Sequence, residues 1–201
     1  MANVNRPNGA VPVGTLGASK WNGQVNQYLI PSTDNTAVMI GDFVKLNGSS
    51  GAAGTVVYGQ DCEGMATVIK ATASDRLLGA VVGFLANPSD LNVSGIYRSA
   101  STNRIALVSD DPNTIYEMQE DSVGNNMDAD MVGLNTDIIT GTGSTTTGIS
   151  GQMLDSSDTG TAAGQVRILG LAKRPDNAIG QYAKWLVRIN EQQVNGYETD
   201  I

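Results

Sequence analysis

The stretch from Lys184 to Ile189, KWLVRI, sets Trp185, Val187 and Ile189 on every second position, and short runs of this kind recur along the chain. A period of two sends alternate side chains to opposite faces of an extended backbone, so each run reads as a strand with one face toward a core. The runs lie at 24–31, 37–46, 54–58, 65–71, 77–85, 103–109, 113–119, 164–171 and 183–190. Between them stand NGSSG, NPSDLN, SDDPN, RPDN and similar clusters, whose residues accept positive φ or preset a turn. No segment offers a cap followed by twelve residues of helical periodicity. The expected fold is therefore all-β, with a β-barrel or a jelly-roll-like β-sandwich as its body.

Glycine, at 24 of 201 residues, and aromatics, at only 5%, fit a molecule of many tight turns and few bulky anchors. Residues 1–23, MANVNRPNGAVPVGTLGASKWNG, show neither period. They are read as an extended N-terminal arm on a β-rich body of residues 24–201, which would divide, if at all, near 87–102. A terminus folded back on its own domain is the alternative. The arm carries Val11, Val13, Leu16 and Trp21, which a bare linker would not need, and these are candidate partner-binding residues. Residues 135–164 are dominated by Gly, Ser, Thr and Ala, and form either a long exposed loop or weak strands.

The chain has no histidine, which removes the usual general base near neutral pH, the nucleophile-base triads and most zinc sites. Two acidic pairs remain, Asp110–Asp111 and Glu120–Asp121, and paired carboxylates can divide acid and base work in a glycosidase. Both pairs sit among turn formers, where Asp closes or caps a turn, so a structural role is the better reading. MDADMVG and LDSSD faintly resemble calcium loops, but neither continues into the twelve-residue pattern with its glycine and closing glutamate. GTGSTTTG lacks the lysine and spacing of a phosphate-binding loop. The lone Cys62 has no internal disulfide partner, and its acidic neighbours Asp61 and Glu63 make it a poor nucleophile. Neither enzymatic activity nor a cofactor is expected.

The net charge is −8, yet between Ile105 and Val166 there are ten acids and neither Lys nor Arg. Such a middle opposes the phosphate backbone of a nucleic acid. The longest apolar run, LLGAVVGFLA at 77–86, is about half the length of a membrane-spanning helix, so neither nucleic acid nor membrane is an expected partner. The start has no charged-then-apolar pattern of a secretory signal, which makes a reducing cytoplasm the expected site of folding. Lys173 and Arg174, in the loop AKRPDNAIGQ, are read as projecting toward acidic partner surfaces.

Three stretches together carry a resemblance: WNGQVNQYLIPSTDNTAVMIGDFVKL, RIALVSDDPNTIYEMQED and RILGLAKRPDNAIGQYAKWLVRINE. They are similar to the small virion structural proteins of tailed bacteriophages, of the capsid decoration or cement type. The resemblance implies a β-rich protein, made in the host bacterial cytoplasm, that joins the capsid exterior, bridges major capsid protein subunits and is itself often a homotrimer. It carries over no catalytic residue. The alternative is a head fibre or tail-associated module that binds host glycans, with residues 135–164 as its variable surface.

Overall fold

The computed structural model describes residues 3–17, 19–88, 95–124, 126–160, 162–190 and 192–194. Its strands are numbered in chain order. Five of them close a barrel: β2 (Asn26–Ile30), β4 (Phe43–Ser50), β7 (Ala66–Lys70), β8 (Gly79–Phe84) and β10 (Arg104–Ser109). A second, five-stranded sheet runs in the order β1 (Val11–Thr15), β11 (Thr114–Gln119), β16 (Lys184–Ile189), β15 (Val166–Leu171) and β12 (Asn135–Thr136). Three ribbons complete the set: β3 (Val38–Met39) with β9 (Tyr97–Arg98), β5 (Val56–Val57) with β6 (Gln60–Asp61), and β13 (Ile138–Ile139) with β14 (Met153–Leu154). The molecule is all-β, and a 3-10 turn at Ala129–Met131 is the one helical element among the described residues. None of these residues forms a helix long and apolar enough to cross a membrane.

Every run read as a strand contains one. The run 37–46 holds two, because Gly41 at φ +90 and the Asp42 carboxylate, which accepts the Met39 N–H at 2.8 Å, turn the chain between β3 and β4. Barrel neighbours are antiparallel except β2 and β7, which run parallel and meet at Leu29 opposite Thr67. Because β10 pairs with both β2 and β8, the barrel is closed by a strand that follows residues 87–102, and the two lobes interleave along the chain. Residues 89–94 of that stretch lie outside the described residues.

Alternation within the barrel strands feeds two cores at once. Val44, Val68, Val81, Ala106 and Val108 cluster in the lumen, whereas Phe43 and Ala80 belong to a second cluster beneath the five-stranded sheet. There they meet Tyr116, Met118, Ile168, Trp185, Val187 and Ile189. Phe43 and Tyr116 stack edge-on, centroids 5.1 Å apart at 76°, a favoured aromatic geometry. A third, smaller cluster of Leu29, Val57, Cys62 and Ile105 lies where the β5–β6 ribbon covers the outside of the barrel.

The described residues among the first 23 do not stand away as an extended arm. Residues 11–15 form β1 on the edge of β11, Ala10 is buried, and its N–H donates to the Gly41 carbonyl at 2.8 Å. Asn5 and Arg6 both bind the Gln119 side chain, and Asn3 binds the carbonyls of Ala178 and Gln181. The chain then doubles back: Thr15 N–H donates to Ser19 and Trp21 N–H to Val13. The physical reason is the open edge of β11, whose unpaired backbone groups β1 satisfies and whose new edge the return strand covers. Met1, Ala2 and Ala18 lie outside the described residues.

The Gly/Ser/Thr-rich stretch 135–164 supplies β12, β13 and β14, and its sparse apolar residues Ile138 and Leu154 are fully buried. Its glycines serve a close backbone crossing, for a Cβ on Gly141 would collide with the Gly151 carbonyl. Thr161 of this stretch is not among the described residues.

Candidate functional site

Where the returning N-terminal segment lies along the outside of the barrel it leaves a groove of about 350 Å3. Val11, Pro12, Trp21 and Val25 form one wall, and Val82 and Leu107 the other, with no charged residue in the lining. Trp21, Val11, Val25, Val82 and Leu107 are each half-buried, so the groove is an apolar surface still partly in water. An apolar face of this kind gains roughly 25 cal/mol for each Å2 that a partner removes from solvent.

Of the four arm residues singled out in the sequence, the structure brings Val11 and Trp21 together in this groove. Val13 and Leu16 do not line it, and at 37% and 46% exposed they lie on open surface. Residues from the barrel wall were not anticipated. Their signal is present in retrospect: GAVVGF and RIALVS are apolar on both parities, so their outward side chains need a cover.

The loop between β15 and β16 leaves Lys173 exposed, but Arg174 is bound within its own chain. Its Nη1 donates to Glu117 at 2.7 Å, and Nε and Nη2 each reach the Asp176 carboxylate at 3.0 Å. The side-chain bond to Asp176 and the nearby Glu117 raise the Arg174 pKa. A recess of about 260 Å3 beside it is lined by Asn3, Arg6, Arg174, Asp176, Tyr182 and Lys184, among others. Burial pushes the Lys184 ammonium below its ordinary value; Glu117 opposes this, and Arg174 and Arg6 add to it.

The acidic pairs hold neighbouring side chains and backbone of their own chain. Asp110 accepts both Asn26 Nδ2, at 3.0 Å, and Tyr28 Oη, at 2.6 Å, and burial with this carboxylate pushes the Tyr28 phenol up. Asp111 accepts the Asn113 N–H two residues on, closing a turn. Glu120 is fully buried and accepts the N–H groups of Tyr182 at 2.7 Å and Met127 at 3.3 Å. Burial raises its pKa despite those bonds. Asp121 accepts the N–H and the hydroxyl of Ser156.

The loops likened to calcium sites are built the same way: Asp128 caps the 3-10 turn through the Asp130 N–H, and Asp155 holds Ser157. Among the described residues, no three His, Cys, Asp or Glu side chains converge as metal ligands would. Cys62 is buried against Leu29, Val57 and Ile105.

No family model matches the chain, and neither a curated protein nor a solved structure does.

Proposed function

We propose that this protein is a bacteriophage capsid decoration, or cement, protein that binds assembled major capsid proteins and stabilises the head shell. The observation that supports the reading most is the apolar groove of Val11, Trp21, Val82 and Leu107, an uncharged surface on a chain of net charge −8. The reading itself comes from the resemblance of three stretches of the sequence to such proteins. In this reading the protein is made in the host cytoplasm and works on the capsid exterior. The partner lays an apolar segment in the groove, while Val13, Leu16, Lys173 and Arg174 lie on surfaces open to further contact. A homotrimer would carry three grooves, and once one is filled the others bind intramolecularly at effective concentrations of up to about millimolar.

The test is uptake by empty, expanded heads. Trp21→Ala together with Val82→Glu should weaken uptake at least about thirty-fold, the scale of one lost hot spot of about 2 kcal/mol, with the circular dichroism spectrum unchanged. Undiminished stoichiometric uptake by the folded variant would refute the reading. The glycan-binding alternative finds less support: residues 135–164, the surface offered for it, contain no aromatic side chain on which a sugar ring could stack.

A further inference from the structure

Lys184 of β16 alternates with the buried Ala183 and Trp185, so its side chain leaves the solvent face of the five-stranded sheet. It ends between two groups supplied by other segments. Its Nζ donates to Asn8 Oδ1 at 3.4 Å and lies 4.0 Å from Glu117 Oε1. An amine, a carboxamide and a carboxylate thus meet at one point, although residues 8 and 184 stand 176 apart in the chain.

Each of the three is held by its own element. Lys184 faces Gln119 across the β11–β16 ladder, and Asn177 clamps its backbone by accepting its N–H at 2.9 Å and donating to its carbonyl at 2.8 Å. Asn8 is followed by Gly9, which at φ +66 packs so closely on the Gly41 carbonyl that a Cβ would collide with it. Glu117 is buried and anchored by Arg174 Nη1 at 2.7 Å. The Lys184 side chain is only 16% exposed. Burial is the main cause of its lowered pKa; Arg174 and Arg6 add to it, and Glu117 and Asp176 oppose it. A lysine so placed gives up its proton more readily, and the free amine is a nucleophile.

We propose that Lys184 and Asn8 join covalently, Nζ attacking Cγ of Asn8 to form an amide between the two side chains and release the side-chain nitrogen of Asn8 as ammonia. Glu117 takes a proton from the ammonium, which frees the lone pair. That pair forms the Nζ–Cγ bond while the carbonyl π pair moves to Oδ1. When the pair returns from Oδ1, the Cγ–Nδ2 bond breaks, and Glu117 passes its proton to the departing nitrogen. An ammonium group and a carboxamide enter, and an amide and an ammonium ion leave, so charge and protons balance with neither oxidant nor reductant. Contact within the fold replaces the encounter that makes this reaction slow between free groups. The recess bordered by Arg6, Tyr182 and Lys184 opens beside the site and lets ammonia out. The bond spans β11, fastening the segment before β1 to β16 and closing a loop through most of the chain. It does not depend on the capsid reading.

Mass spectrometry of the folded, full-length chain, incubated to constant mass, tests the proposal. The expected mass is that of the sequence less one ammonia. A tryptic digest should contain the peptide with Asn8 joined to the peptide with Lys184, uncleaved at that lysine. In denaturing electrophoresis the linked chain should run ahead of Lys184→Arg, which keeps the charge but presents no free amine. Glu117→Gln, which keeps the shape but takes no proton, should form the link about a hundred-fold more slowly. Ring closure of Asn8 on the Gly9 N–H also expels ammonia, but it leaves the two peptides separate and persists in Lys184→Arg. Separate peptides from the wild type, at full mass or one ammonia light, overturn the proposal. Equal rates of linking in wild type and Glu117→Gln overturn the part given to Glu117.

Discussion

At the scale of single residues, Arg98 does more for the fold than any side chain at the surface. Its guanidinium is fully buried and donates to the carbonyls of Pro31 at 2.6 Å, Asp34 at 2.8 Å, Thr36 at 2.6 Å and Thr102 at 2.9 Å, with the Asp34 carboxylate at 3.2 Å. Those carbonyls come from two loops, which the planar fork joins. Replacing it by Met would strand four acceptors and a carboxylate in a dry site. Urea denaturation of Arg98→Met should show a loss of about 3–5 kcal/mol, and Arg98→Lys should recover little of it. Asp75 supplies a pH-dependent counterpart. Burial opposes its ionisation, but bonds from Lys45 Nζ and from the N–H and hydroxyl of Thr72 outweigh this and hold its carboxyl below the ordinary 3.8. Because the folded value is the lower one, the stabilisation is complete above the ordinary value and is lost as pH falls through the folded one. Asp75→Asn should therefore flatten the acid limb of a stability profile below about pH 4 while lowering the plateau at neutral pH.

At the scale of elements, β1 makes the N-terminal segment part of the body. Deleting residues 1–15 removes the edge of the five-stranded sheet and, with Val11 and Pro12, part of one wall of the groove, and should lower Tm by about 5–15 °C, read by circular dichroism, for a chain of this size. If the proposed capsid binding were lost in that deletion, the loss would report lost structure as well as a lost contact, which is why Trp21 and Val82 are the better probes of the proposal. β1 was hard to read because Pro12 and the bulge between Pro12 and Gly14 break its alternation. By contrast, β15 and β16 are legible residue by residue, since Val166, Ile168, Trp185, Val187 and Ile189 all fall on the buried parity. The two-residue strands β12, β13 and β14 carry no period at all, and tertiary bonds place them. Gln152, for example, accepts the Phe43 N–H at 2.7 Å and donates to the Ala71 carbonyl at 2.9 Å, tying the ribbon to the barrel. The groove is half legible for the same reason: Val11 and Trp21 stand out in a Gly- and Pro-rich segment, whereas Val82 and Leu107 are indistinguishable by sequence from core strand residues.

At the scale of the whole molecule, the two lobes share one core. Phe43, Ala71, Leu77 and Ala80 of the barrel pack with Tyr116 and Trp185 of the sheet, so neither lobe keeps its apolar face covered without the other. In Trp21→Phe, Trp185 is the sole tryptophan, and its fluorescence should lose the native signal at the same denaturant midpoint as the far-ultraviolet circular dichroism. Separate midpoints would mean that the lobes unfold independently. Within this unit the barrel is not equally strong all round. β2 and β7 pair in parallel at Leu29 and Thr67 alone, whereas the antiparallel seams β4–β7 and β8–β10 each pair at four positions and β4–β8 at two, and the β5–β6 ribbon lies over Leu29. A tug across the barrel meets its least resistance along that line. Whatever load the molecule bears, it yields there by lifting a clasp before it tears the wall.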